Sequence, residues 1–304
     1  MRIVSLLPSA TEILFAIGLG DQVVAITHEC DYPEEAVSRP VITECVFDSK
    51  TATAQQIDSE VRALAREGKS LYRIKDDLLR DLRPDLIVTQ ELCDVCAVTP
   101  DEVNRAIRGI DPQPQVVSLN PKIIDDVFND MFLLARLTGI DAMPVIDGLQ
   151  KRVRQIAPAF TLSDKPTVAC IEWLNPLWRT GHWVPGMVEL AGGIEVLAES
   201  GKPSRGLSWE ELKAKDPDVV ILMPCGYSLT RTRDEFETVR HTFPWSALKA
   251  FVAGRIYIVD ANSYFSRSGP RLVEGVELLA EIFHPEYFKG MADRIAKYEI
   301  QIVN

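Results

Sequence analysis

The sequence predicts an α/β protein made of two similar lobes joined by a long helical segment. Three observations carry this expectation. Short continuous apolar runs alternate with amphipathic stretches, the pattern of a mainly parallel sheet with helices on both faces. From about residue 121 to 157 the alternation stops, and apolar residues recur at three- and four-residue steps without a strand. The flanking halves also echo each other: LLRDLRPDLIVTQELC (78–93) matches ELKAKDPDVVILMPCG (211–226). Each reads as helix, Pro-Asp, four apolar residues, short loop and cysteine. The expected divisions are an N-terminal lobe 1–120, a bridge 121–157 and a C-terminal lobe 158–304.

The elements follow in order. RIVSLL reads as a first strand. In SATEILFAIGLG, Ser9 and Glu12 have the spacing of a capping box and the glycines at 18 and 20 can end the helix. QVVAIT is a strand, LYRIKDDLLRDLR a helix, DLIVTQ a strand, TPDEVNRAIRGI a helix and QVVSL a strand. The bridge is one long helix or a bent pair, interrupted near Gly139 and Pro144. TVACIEW (strand), WVPGMVELAGG (helix), GIEVL (strand), WEELKAKD (helix), VVILMP and GRIYIVD (strands) and PRLVEGVELLAEIF (helix) complete the second lobe. Ligands of such folds sit at strand C-termini, here expected between the lobes.

Composition narrows the function. With 304 residues, 46% hydrophobic and 25% charged, this is the balance of a globular protein. A formal net charge of −11 supplies no basic surplus for nucleic-acid phosphates or an anionic membrane surface. No window approaches the roughly 18 apolar residues of a membrane span. The N-terminal apolar run breaks at Pro8 and reads as a strand rather than an export signal, so the expected location is cytoplasmic, or extracytoplasmic if a signal was removed. Six unevenly spaced cysteines suggest reduced thiols rather than a disulfide scaffold. There is no GxSxG, P-loop or HExxH motif, and the carboxylates Glu29, Asp31 and Glu91 lack a paired nucleophile. A non-enzymatic, monomeric protein is expected.

The ordered set SLLPSATEILFAIGLGDQVVAIT, DYP (31–33), LRPDLIVTQ, NPLWRTG, MVELAGGIEV, WEELKAKDPDVVIL and YFSRSGPRLVEGVELLAEI resembles the substrate-binding proteins of cobalamin and iron-siderophore ABC transporters. The likeness covers nearly the whole chain, and the pairing of CDYP with SYFSRSGPR is most similar to the cobalamin-binding branch. The resemblance implies two Rossmann-like lobes bridged by a long helix, the class III or helical-backbone receptor type. It also implies a permease partner, met by an acidic residue on each lobe; Glu102 is the positional candidate in the first, and Glu235 or Glu237 in the second. The segments FDSKTATAQQIDSEVRALAREGKSLYRIKDD and ELCDVCAV exceed the minimal family pattern and mark a sub-branch.

Candidate ligand contacts fall in loops after strands. Aromatic faces suit a flat, largely apolar macrocycle, with a few polar groups to orient it. Tyr32, Trp173, Trp178, Trp183, Tyr227, Tyr264 and Phe265 are so placed, and the resemblance maps Tyr32, Trp178, Tyr264 and Phe265 to the cleft. Trp209 and Trp245 are expected in the core. His28 and His182 are candidate axial ligands to a corrin cobalt or haem iron, since a neutral imidazole is the natural donor; His241 and His284 are expected on the surface. Arg267 is either a contact to ligand amides or phosphate or a solvated helix-start residue, and Arg271 is structural. Cys93 and Cys96 form a CxxC that, with Cys30 and Cys225, is a candidate zinc or iron site or redox pair, with free thiols the alternative; Cys45 and Cys170 are expected in the core. The expected function is non-catalytic binding of a cobalamin-like corrinoid for ABC-type uptake or corrinoid handling. The alternatives are haem or an iron-siderophore on the same fold, or a metal or redox protein.

Overall fold

The computed structural model describes residues 1–47, 52–67, 70–90, 98, 100–156, 165–291 and 299–300. The chain forms two compact units, Met1–Pro121 with Asp125–Ile146, and Lys122–Ile124 with Asp147–Asn304. The first contains β1 (Ile3–Ser5), α1 (Pro8–Ala16), β2 (Val23–Ala25), β3 (Thr43–Cys45), α2 (Ala54–Arg66), β4 (Tyr72–Ile74), α3 (Asp76–Leu82), β5 (Leu86–Gln90), α4 (Pro100–Ala106), β6 (Gln115–Leu119) and most of α5 (Ile124–Thr138). Helix α6 (Met143–Ile156) begins in the first unit and ends in the second. The second holds β7 (Thr167–Leu174), β8 (Leu177–Arg179), α7 (Val184–Leu190), β9 (Ile194–Glu195), β10 (Arg205–Gly206), α8 (Trp209–Lys215) and β11 (Val219–Leu222). It continues with α9 (Leu229–Val239), α10 (Lys249–Val252), β12 (Ile256–Ile258), α11 (Ala261–Tyr264), α12 (Leu272–Phe283), α13 (Pro285–Phe288) and β13 (Glu299–Ile300).

Both units use the same parallel sheet. In the first the order is β2-β1-β5-β6; in the second β9, β7, β11 and β12 pair in the equivalent order, with β8, β10 and β13 added antiparallel. The central strands β5 and β11 are buried along their whole length, which is why each reads as an unbroken apolar run. Val4, Ile87, Leu79 and Val103 pack one face of the first sheet; Ala169, Val220, Phe236 and Ile256 belong to the corresponding core of the second.

The sequence echo is realised atom by atom. A residue before proline is disfavoured in the right-handed helical region, and Arg83 and Asp216, ahead of Pro84 and Pro217, end α3 and α8 at φ +43° and +40°. The next aspartate then ties the helix exit to the start of the neighbouring strand. Asp85 Oδ2 accepts the Arg2 amide at 2.6 Å, and Asp218 Oδ2 accepts the Thr167 amide at 2.8 Å. Helices α1 and α7 also end alike: Gly18 and Gly192 take positive φ, and Leu19 N–H and Gly193 N–H reach back to the carbonyls of Leu14 and Val188.

Several expectations are corrected. Ser9 and Glu12 form no capping box: Pro8, with its preset φ, is the first residue of α1, and both lie buried within the helix. The capping box is at α8, where Ser208 and Glu211 exchange side-chain-to-backbone bonds. The expected helix from residue 71 starts only at Asp76, because Tyr72–Ile74 pairs with β3. Between 121 and 156 the chain forms two helices, α5 and α6, rather than one, with Gly139 at φ +76° after α5 and Ile140 N–H closing on the Ala135 carbonyl. His284 is buried rather than exposed, held by the Gly192 carbonyl at 3.0 Å, and Cys45 is only half-buried. Trp245 and Cys170 lie in the core as expected, and Trp209 packs against it.

On α5, Asp130 is pushed up to about 7 by burial and by the Asp126 carboxylate one turn earlier, and its Oδ2 has no hydrogen-bond partner. The fold favours the protonated form, so this group costs stability progressively as pH rises from about 4 to about 7. Asp130→Asn is therefore expected to raise the unfolding free energy by about 1–3 kcal/mol at pH 8 and to change little at pH 4.5. Urea unfolding followed by circular dichroism checks this. Glu195, which burial also lifts to about 7, is common to both proteins and cancels in the difference.

Candidate functional site

In the first unit, β2 delivers Thr27 to Tyr32 to the C-terminal end of the sheet. Cys30 is nearly closed to solvent, its Sγ 3.2 Å from Thr11 Oγ1 and 3.3 Å from Thr27 Oγ1. His28 is engaged by its own unit: Nδ1 lies 2.8 Å from Thr43 Oγ1, the ring packs on Tyr72, and Nε2 is buried 3.3 Å from a Glu29 carboxylate oxygen. Tyr32 is 46% exposed. Leu6, Pro8, Thr27, His28, Glu29, Thr43, Tyr72 and Val98 line a cavity of about 10 Å³. That is room for about one water.

Glu102, expected as a docking carboxylate, is half of an ion-pair network. It receives Arg105 Nη2 at 2.7 Å, Arg105 Nε at 3.0 Å and the Ile74 amide, while Arg105 also donates to Asp76 at 2.6 Å. The Arg105 bonds hold its carboxyl below the usual range. Glu235 is half-buried on α9; Glu237 is exposed and accepts from Arg240 at 2.9 Å.

In the second unit the strand ends bring several predicted residues together. Trp183 is buried at the start of α7 and donates Nε1–H to the Phe265 carbonyl at 2.7 Å, locking the Ala261–Ser268 loop to that helix. Gly275 on α12 allows this loop its close approach: an added Cβ would overlap the Tyr264 carbonyl oxygen. The Gly226 amide donates to Ser266 Oγ and the Asn262 amide to the Tyr227 carbonyl, joining the loops after β11 and β12. Arg267 is 8% exposed and donates to Asn262 Oδ1 at 3.0 Å, so it is a buried polar group rather than a solvated one. Tyr264 and Trp178 are half-buried, and the Arg271 guanidinium lies 5.8 Å from the Tyr264 ring.

Tyr227 is buried with its ring edge-on to Trp173, at 5.3 Å between centroids, and is capped by Arg231, whose guanidinium carbon sits 4.0 Å from the ring centre. Trp173 Nε1 is buried without an acceptor. The sequence reading missed Arg231 because α9 carries mixed polar residues and was not assigned as a helix. The usable signal was Ser228, an N-cap whose hydroxyl accepts the Arg231 amide. His182 takes φ +51° and is clasped by the chain at 201–202, donating its amide to the Lys202 carbonyl at 2.6 Å. Burial and the Lys122 charge lower its pKa, which favours the neutral imidazole. Cys225 is a half-buried free thiol.

Among the described residues, no group of three or more His, Cys, Asp or Glu gathers to hold a metal. Cys93 and Cys96 of the four-cysteine set lie outside the described residues. Among the described residues, no helix is long and apolar enough to cross a membrane.

The chain is 25% identical over 295 residues, 95% of its length and 81% of the relative's, to an uncharacterized ABC transporter substrate-binding lipoprotein, YvrC, of Bacillus subtilis. It is 25% identical over 287 residues, 91% of its length and 86% of the relative's, to the vitamin B12-binding protein of Vibrio cholerae. The periplasmic heme-binding protein RhuT of Roseiflexus superposes with a TM-score of 0.64 at 23% identity, covering 93% of this chain and 98% of that one. The periplasmic binding protein family model matches residues 3–263. With that match over most of its length, and with two α/β units of equivalent parallel-sheet order, the chain belongs to the periplasmic binding protein family.

Proposed function

We propose that this protein is a non-catalytic receptor for a cobalamin-like corrinoid, held on the strand-end loops and passed to an ABC permease. The observation that carries the reading is the set of aromatic and guanidinium groups at the C-terminal strand ends of the second unit. Trp173, Trp178 and Tyr264 offer flat surface, with Tyr227 buried behind Arg231, while Asn262, Ser266, Arg231 and Arg267 offer donors and acceptors. This suits a broad macrocycle fringed with amides: ring faces provide contact area at low entropic cost, and a few polar groups fix orientation. The relative named for vitamin B12 and the relative named as an ABC substrate-binding lipoprotein support the ligand and the partner. The lipoprotein's name also favours an extracytoplasmic station over the cytoplasmic one expected from the N-terminal sequence. Tyr32 and Trp178 are the proposed ring contacts, with His182 the better-disposed imidazole, since burial keeps it neutral while His28 is engaged by Thr43 and Glu29.

Haem is the second reading, favoured by that same neutral imidazole and by the fold shared with a heme-binding protein. Mixing the purified protein with hydroxocobalamin is expected to shift its visible spectrum and to give 1:1 co-elution on gel filtration. Absence of retention for any corrinoid, together with retention of hemin, would replace the first reading by the second. His182→Ala is expected to alter the bound ligand's spectrum, and His28→Ala to leave it unchanged.

A further inference from the structure

Arg231 belongs to no motif that carried the family resemblance, yet it is built into the second unit with care. Its backbone is fixed as the third residue of α9, with Ser228 capping its amide. Its guanidinium carbon lies over the Tyr227 ring, 4.0 Å from the ring centre, and Nη2–H donates to the Tyr227 hydroxyl at 3.4 Å. Tyr227 is held in turn by Trp173 and by the Asn262 amide on its carbonyl. Burial, with a smaller contribution from the Glu235 carboxylate, raises the Tyr227 pKa against the adjacent guanidinium, so the phenol stays neutral beneath the cation. Tyr227 is only 3% exposed while Arg231 is half-buried. The guanidinium is therefore the layer between the aromatic seat and solvent, at the strand ends where the ligand is read.

A cation held on an aromatic face is pre-organised, and a planar guanidinium matches the oxygens of a phosphate. The amide fringe of a corrinoid is neutral; its fixed negative charge is the phosphodiester of the nucleotide loop. We propose that Arg231 is a specificity-determining residue that takes this phosphodiester, so that the protein selects complete cobalamins over cobinamides, which lack it. Tyr227 is the positioning residue that holds Arg231 in place. This rests on the corrinoid reading above.

The test is isothermal titration of wild type, Arg231→Met and Arg231→Lys with cyanocobalamin and with dicyanocobinamide. Arg231→Met is expected to weaken cyanocobalamin about ten- to a hundredfold, the worth of one charge-assisted hydrogen bond. Dicyanocobinamide is expected to change by less than about threefold, and Arg231→Lys to fall between. Thermal unfolding of both variants identifies any general loss of fold. Equal weakening of the two ligands, or none, overturns the assignment while leaving the corrinoid reading intact. Failure of wild type to bind either ligand overturns both.

Discussion

Replacing Gly275 by alanine is expected to destabilise the protein and to weaken ligand binding at least tenfold, although the same change in an ordinary helix stabilises it. In an open helix, Gly→Ala adds about 0.5–1 kcal/mol through chain entropy. At Gly275 the new methyl would overlap the Tyr264 carbonyl oxygen and crowd Met187 Cε, with Phe265 Cε1 at 3.2 Å. The methionine end can yield, but a backbone carbonyl moves only with its loop. The expected cost is about 1–3 kcal/mol of overpacking. The displaced segment is Ala261–Ser268, which carries Tyr264, Phe265 and Arg267 and meets Trp183 through the Phe265 carbonyl. Gly148→Ala on α6, where an added Cβ meets nothing within 4 Å, is the control and is expected to stabilise by about 0.5–1 kcal/mol. Urea unfolding and hydroxocobalamin titration of both variants check the pair. Unchanged affinity in Gly275→Ala would mean that this loop takes no part in binding.

The second large effect is at Arg152. Its Nε and Nη2 bond the two carboxylate oxygens of Glu277 at 2.9 and 2.7 Å, with Glu274 3.8 Å away. Glu277 is 2% exposed, and the pair fastens the second half of α6 to α12 within the second unit. The interaction raises the Arg152 pKa, principally through the Glu277 bonds. Removing one partner of such a pair strands the other, because an uncompensated buried carboxylate loses its hydration without return. Arg152→Met is expected to cost about 3–5 kcal/mol, whereas Arg152→Met with Glu277→Leu is expected to recover most of it. All five tryptophans lie in the second unit, so tryptophan fluorescence during urea unfolding reads the unit in which the pair sits. A single variant no less stable than the double one would show that Glu277 is held by its other neighbours.

Much of the architecture was legible because it rests on local rules. Pro84 and Pro217 forbid helix continuation wherever they fall, and the runs LIVTQ and VVIL are apolar throughout because both faces of their sheets are covered. Gly18 and Gly192 end their helices because their backbones need positive φ. The misreadings are equally physical. The spacing of Ser9 and Glu12 is that of a capping box, yet Pro8 sets the helix start by occupying the first helical position. The apolar spacing of LYRI fits both periods and runs on into the following helix, and only pairing with β3 makes Tyr72–Ile74 a strand. At the site, aromatic content was legible but commitment was not. Nothing in NPLWRTGHWVPG tells that the Trp183 indole is spent on a carbonyl 82 residues away.

Chain order and composition alone thus specify the alternation, the repeated Pro-Asp junctions, the break at Gly139 and the family pattern, since each depends on backbone sterics or on periodicity within one segment. Folding in three dimensions decides the fate of the polar groups. His284 becomes a buried donor to Gly192, Glu102 is absorbed by Arg105, Glu277 is sealed under Arg152, and Arg231 is laid on Tyr227. The reason is energetic. A polar side chain takes one role or another according to whether a partner and a dry environment meet it, and for His284 and Glu277 tertiary packing brings both. For Glu102 and Arg231 the partner lies a single helical turn away, but the helix that sets the spacing is itself held by the sheet behind it.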